Sequence, residues 1–150
     1  PSVLSLLPAP LRYRGVQPVG RLDADTTGLL LLTDDGALNH RLTHPKHHIE
    51  KTYRVTLKHA VTEDFAERLL KGVVLKDEKA PVKAEVCTIL SDRLITMTVT
   101  SGKYHQVKRM VAAAGNRVTA LHRESMGGLT IPENLAPGSW TWVFRFPWDS

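Results

Sequence analysis

Gly20-Arg21-Leu22-Asp23-Ala24-Asp25-Thr26-Thr27-Gly28 runs without a break into Leu29-Leu30-Leu31-Leu32-Thr33, and Asp34-Asp35-Gly36 follows. The aliphatic run over residues 28–33 is short enough for a strand buried on both faces and far too short to span a bilayer. Asp34-Asp35-Gly36 turns the chain, and residues 37–43 form a short helix that Pro45 stops. Two carboxylates, two hydroxyls and an arginine thus stand at the mouth of a core strand, where polar groups are costly to place without a use. Asx and hydroxyl turns put the same residue types there for local reasons, so the stretch alone leaves both readings open.

Working outward, residues 2–7 suggest a short helix closed by Pro8 and Pro10. Residues 51–58 alternate, with Tyr53, Val55 and Leu57 on one face of a half-buried strand. Thr62 is the expected N-cap of a helix through Lys71, with Phe65, Ala66, Leu69 and Leu70 as its apolar stripe and Gly72 as its stop. Residues 84–90 and 94–100 pair as a hairpin around Ser91-Asp92-Arg93. A further helix over 105–114 buries Val107, Met110, Val111 and Ala114, Gly115-Asn116 ends it, and 117–121 returns as a strand. Residues 140–146 form a last strand. Many strands and two or three helices without regular alternation predict an α+β fold on a mixed or antiparallel sheet.

The chain has 150 residues, 42% hydrophobic and 23% charged, which is one globular domain's worth and excludes disorder or a fibrous repeat. Cys87 is alone, which excludes an internal disulfide and a multi-cysteine zinc site. It reads as a small buried hydrophobe, in keeping with a reducing, cytoplasmic home. No charged and then apolar leader opens the chain. Its first residue is Pro, so a piece of a longer protein is expected. Charge is more informative once located. Between Arg41 and His59 five basic residues face one acid, Glu50, and between Ser101 and Arg123 five face none. Two basic blocks on an otherwise acidic chain are the pattern of a polyanion-binding face, although solvated helix or strand faces give the same pattern.

Two more segments carry chemistry. In Ser101-Gly102-Lys103-Tyr104-His105-Gln106-Val107-Lys108-Arg109-Met110, His105 and Lys108 are three apart and share a helix face. In Pro45-Lys46-His47-His48, followed by Glu50-Lys51-Thr52-Tyr53, adjacent histidines point in different directions and lack a carboxylate–histidine pair at helical spacing. No metal site is expected.

Taken together these segments resemble a known family. Gly20-Arg21-Leu22-Asp23 with Thr26-x-Gly28-Leu29-Leu30 is similar to the catalytic motif of the pseudouridine synthases related to RsuA and RluA. Lys51-Thr52-Tyr53 resembles the family's tyrosine motif, residues 102–110 its basic helix, and Leu121-His122-Arg123 with Gly127-Gly128-Leu129 its closing motif. Thr33-Asp34-Asp35-Gly36 and Pro45-Lys46-His47-His48 look like the RsuA branch, which acts on small-subunit (16S) ribosomal RNA.

The resemblance implies the α+β pseudouridine synthase catalytic fold, a mixed, largely antiparallel sheet with flanking helices and a central cleft. It implies an isomerase that needs no cofactor, with Asp23 as the essential carboxylate, Lys108 as its cationic partner and Tyr53 packed on the target base. Arg21 matches an arginine that fills the gap left by a flipped nucleotide, and Leu121 an apolar wall. Arg41, Lys46, Lys51, His105, Gln106, Arg109 and Arg123 are expected RNA contacts, and Asp25 orients the loop or touches RNA. The expected partner is ribosomal RNA, 16S or within an assembly intermediate, with no membrane and a monomeric enzyme. Residues 1–150 would be the catalytic domain, without the branch's N-terminal RNA-binding domain and first catalytic strand.

Other readings stay in view. A large-subunit (23S) enzyme shares these motifs. Asp23-Ala24-Asp25-Thr26 satisfies the Asp-x-Asp-x-Thr pattern of haloacid-dehalogenase-type phosphatases, yet that pattern should follow an aliphatic strand and here precedes one. A non-catalytic RNA-binding module predicts that Asp23 is dispensable.

Overall fold

The computed structural model describes residues 2–103 and 105–144. A 3-10 turn (Val3–Leu6) precedes α1 (Ala9–Arg12), β1 (Gln17–Pro18), β2 (Thr26–Gly28), β3 (Leu32–Thr33) and α2 (Gly36–Thr43). After a second 3-10 turn (Pro45–His47) come β4 (Lys51–Leu57), α3 (Glu63–Lys71), β5 (Val86–Ser91), β6 (Leu94–Val99), α4 (Gln106–Ala113), β7 (Val118–Met126) and β8 (Leu129–Thr130). Six strands form one sheet in the order β2-β7-β4-β6-β5, with β8 on β7; β1 and β3 make a separate ribbon. The β2–β7 pair is parallel and the other pairs are antiparallel. This is the α+β architecture that the alternation of residues predicts.

One face of that sheet does two jobs. Tyr53 stands opposite Met97 and Arg123, and Val55 opposite Ile95 and Leu121, so these side chains project together. At the Val55 end, Phe65 and Leu69 of α3 and Val107, Met110 and Val111 of α4 cover the face and close the main core. At the Lys51 end the same face lines a cleft.

The helices form where their signals stand. Thr62 accepts the Phe65 N–H at 3.1 Å, a cap worth about 1 kcal/mol. Asp35 caps α2 through the N–H groups of Ala37 and Leu38. Leu70, expected on the buried stripe of α3, is instead exposed, because Phe65, Ala66 and Leu69 already fill the contact with the sheet. Cys87 packs half-buried against the core, and burial pushes its thiol pKa up.

Four further expectations are corrected. Residues 28–33 are not one strand. β2 ends at Gly28, whose φ is +116°, and the chain leaves for the β1–β3 ribbon. There Leu31 joins Val19, Leu42 and Met126 in a second, smaller core. Pro8 does follow the end of the short 3-10 helix, but Pro10 closes nothing; it lies in the first turn of α1, where a missing N–H does no harm. Residues 140–144 carry no strand, and the rest of that expected strand lies outside the described residues. The return strand expected over 117–121 instead runs on to Met126.

Gly28 marks a close approach. A Cβ there would meet the Arg123 carbonyl oxygen at 2.2 Å and its nitrogen at 2.6 Å, and the positive φ strains any L side chain. Gly28→Ala is expected to destabilise the protein by at least about 2 kcal/mol, read as a lower urea midpoint at unchanged m-value.

Candidate active site

The cleft encloses about 500 Å³, within the range of small-ligand sites. Its floor is the Lys51 end of the sheet; one wall is the 20–24 loop and the other is the start of α4 with the 101–103 segment before it.

The loop is pinned at both ends. Val19 is buried in the smaller core and donates its N–H to the Leu31 carbonyl at 2.8 Å. The Thr26 N–H donates to the Asp23 carbonyl at 2.9 Å, closing a tight turn as the chain enters β2. On the far wall His105 has φ +46°, a left-handed conformation that costs a non-glycine residue roughly 1–2 kcal/mol. Gln106 offsets it. Its buried amide oxygen accepts from Ser101 Oγ at 2.8 Å and the Lys103 N–H at 3.2 Å, hydrogen bonds of about 1 kcal/mol each. Such strain, held by its surroundings, is typical of functional sites.

These two walls bring charges together. Lys108 Nζ lies 3.3 Å from Asp23 Oδ2, and His105 Nε2 lies 3.5 Å from Asp23 Oδ1. The Asp23 side chain is 29% exposed, so its carboxylate is largely withdrawn from water. Lys108 also meets Asp25 Oδ1, at 2.6 Å. The hydrogen bond to Asp25, joined by Asp23, raises the Lys108 pKa above the ordinary lysine value; the same bond lowers that of Asp25. Asp25 is 75% exposed, so its pairing is screened, and the half-buried Asp23 interaction is the less screened of the two.

Each expected site residue can be placed. Tyr53, Leu121 and the exposed Arg21 line the cleft with Asp23, Lys108 and His105. Lys51 and Arg123 lie on its floor. Arg41 and Lys46 are exposed on α2 and the 3-10 turn after it, outside the cleft. Arg109 pairs with Asp77. Gln106, expected to touch RNA, has its amide oxygen taken up by its own loop. The Asp25–Lys108 contact was not foreseen, since spacing gives no hint that position 25 faces a helix 83 residues on. The Asp23–Asp25 stretch precedes β2, so it lacks the strand-end placement a dehalogenase-type phosphatase requires. Among the described residues no group of three or more His, Cys, Asp or Glu side chains could hold a metal ion.

A loop carrying carboxylates thus faces a basic helix across a cleft on a mixed sheet. The RNA pseudouridylate synthase model matches residues 3–113, and the chain belongs to that family. The protein called ribosomal small subunit pseudouridine synthase A in Salmonella typhimurium is 50% identical over 140 residues, covering 93% of this chain and 60% of that protein. Its namesake in Haemophilus influenzae is 46% identical with the same coverage. This chain therefore spans about 60% of the length of the curated relatives it matches. A crystal structure of a pseudouridylate synthase superposes with a TM-score of 0.88 at 46% identity, over 93% of this chain and 60% of that one. A chain of an H/ACA ribonucleoprotein bound to a substrate RNA containing 2′-deoxyuridine gives a TM-score of 0.56 at 20% identity, over 87% of this chain and 42% of that one. It shares the fold.

Lys51 is the one strained charge of the floor. Burial lowers its pKa from the ordinary 10.5, and the nearby Arg123 guanidinium lowers it further. Folding thus disfavours its charged form, so between the lowered value and 10.5 the unfolded chain holds more protons and stability rises with pH. Lys51→Met is expected to raise Tm at pH 7 by about 2 °C, an advantage that shrinks as the pH rises toward 10.5 and is absent above it, read in thermal melts across that range.

Proposed function

We propose that this chain is the catalytic domain of an enzyme that converts one uridine of small-subunit (16S) ribosomal RNA to pseudouridine, with Asp23 as the catalytic carboxylate. In that isomerisation the C1′–N1 bond breaks, the uracil turns, and a C1′–C5 bond forms. C5 gives up a proton and N1 ends with one. Electrons balance within the nucleotide, so the reaction calls for no redox partner or cofactor. A fixed anion beside the sugar is required, whether it adds to C1′ or removes a ribose proton.

The observation that carries this reading is the Asp23 carboxylate held 3.3 Å from Lys108 Nζ inside the cleft, in a chain that belongs to this family. Lys108 places a fixed cation against the Asp23 carboxylate. Tyr53 offers a ring against which the base packs while detached, and Leu121, on the same sheet face, an apolar surface beside it. The target uridine must leave its stack to enter such a cleft, and the exposed Arg21 at the mouth fills the gap behind it. Arg41, Lys46 and Arg109 serve the phosphates outside. The 16S target rests on the printed names of the relatives. The partner on this reading is ribosomal RNA, free or in an assembly intermediate, met by a monomeric enzyme in the cytoplasm.

Asp23→Asn, in the longest natural form of the protein, is expected to lower pseudouridine formation by at least about 10³-fold while changing RNA affinity less than about threefold. Pseudouridine mapping of ribosomal RNA from cells lacking the parent gene should lose one small-subunit site. Normal modification by Asp23→Asn overturns the catalytic assignment, and loss of a large-subunit site instead moves the target to 23S RNA.

A further inference from the structure

The cations around the cleft are not equally provided for. Lys108 has Asp23 and Asp25, Lys103 has Glu78 at 2.8 Å, and Arg109 has Asp77. Lys51 and Arg123 have no carboxylate among the described residues. Arg123 is only 3% exposed. Its Nε donates to the Leu29 carbonyl at 3.0 Å, but its buried Nη2 makes no hydrogen bond. A buried donor left unpaired is an uncommon and unfavourable arrangement.

The backbone sets these two cations side by side. Arg123 stands opposite Tyr53 in the β4–β7 pair, one residue pair along from a register shift, and Lys51 projects from the same face two residues before Tyr53. Lys51 Nζ reaches across to Gly102, where an added Cβ would lie 3.6 Å from it, so the ammonium sits under the 101–103 segment. The charges that act on it are burial and Arg123, both unfavourable to its proton. The cleft therefore has two poles. At one, Asp23 is compensated by Lys108 and His105; at the other, two cations stand uncompensated.

A nucleotide drawn into the cleft brings one kind of formal charge, that of its phosphodiesters. An ammonium with a guanidinium packed beside it suits such an oxyanion, since the ammonium makes the contact and the buried guanidinium adds its positive charge from beneath. We propose that Lys51 and Arg123 form an internal oxyanion subsite that holds a phosphodiester of the uridine being modified. This deepens the reading above and rests on it for the identity of the substrate. Both are positioning residues: they fix the sugar relative to Asp23 and take no part in breaking or making the glycosidic bond.

The test compares wild type, Lys51→Gln and Lys51→Arg in equilibrium binding to a small-subunit ribosomal RNA transcript across a salt series, alongside steady-state pseudouridine formation. Lys51→Gln is expected to weaken binding about tenfold and to flatten the slope of log affinity against log salt by about 0.7–0.9, the signature of one lost phosphate contact. The activity loss falls mainly on KM, and Lys51→Arg restores the slope. Because Arg123 is buried and its variants risk misfolding, the second measurement uses the wild-type chain. Titration with inorganic phosphate, followed through the Lys51 ε-methylene NMR signal, should give a saturable shift. An unchanged salt slope in Lys51→Gln, or a Lys51 signal indifferent to phosphate, overturns the subsite. Neither binding readout requires turnover. A flattened slope with no pseudouridine formed by wild type would leave the subsite standing and bring down the proposed activity, and normal pseudouridine with an unchanged slope does the reverse.

Discussion

The parallel contact between β2 and β7 decides where everything else can go. Thr26, Thr27 and Gly28 lie against Leu121, His122 and Arg123, and at Gly28 the two backbones approach so closely that no side chain fits between them. Arg123 closes the junction on both sides, its carbonyl accepting the Leu29 N–H and its Nε donating to the Leu29 carbonyl. The parallel direction matters. It sets Thr26 beside Leu121 and leaves the turn before β2 on the Val118 side of that pairing, where Asp23 faces Lys108 and His105 across the cleft. An antiparallel β2 would carry that turn to the other end of β7.

The site then follows from unequal burial along one sheet face. Under α3 and α4 the face is apolar and closed. Two to four residues further along it carries Tyr53, Lys51 and Arg123, polar groups that cost free energy to bury unpaired. Pairing is assigned by position. The carboxylate on the loop meets the lysine and histidine of the helix start, while the floor keeps its cations without a counter-charge. Burial and Arg123 both disfavour the charged form of Lys51, a penalty that an anion bound there would offset.

Much of this was legible in residues. Alternation in 51–58 gave β4 and its buried face, Thr62 and Gly72 bracketed α3, and Val107, Met110 and Val111 marked the inner side of α4, because period and caps are local properties of the chain. The residues that those motifs name, Asp23, Tyr53, Lys108 and Leu121, all line one cleft. The four-leucine run misled. Its composition matches a buried strand, but Gly28 turns the backbone and the leucines divide between the sheet junction and the smaller core. The part Gln106 plays in tying down the loop beside it was not legible, since its partners Ser101 and Lys103 are set by the turn rather than by residue type.

By itself the sequence determined the elements, the residue types available for chemistry, and the two basic blocks, since these depend on neighbours within a few positions. Only the tertiary structure decided which charges meet. Asp25 finds Lys108 across 83 residues, and Lys51 and Arg123 come together without a carboxylate, because strand register and the parallel β2–β7 contact fix distances that no local spacing encodes.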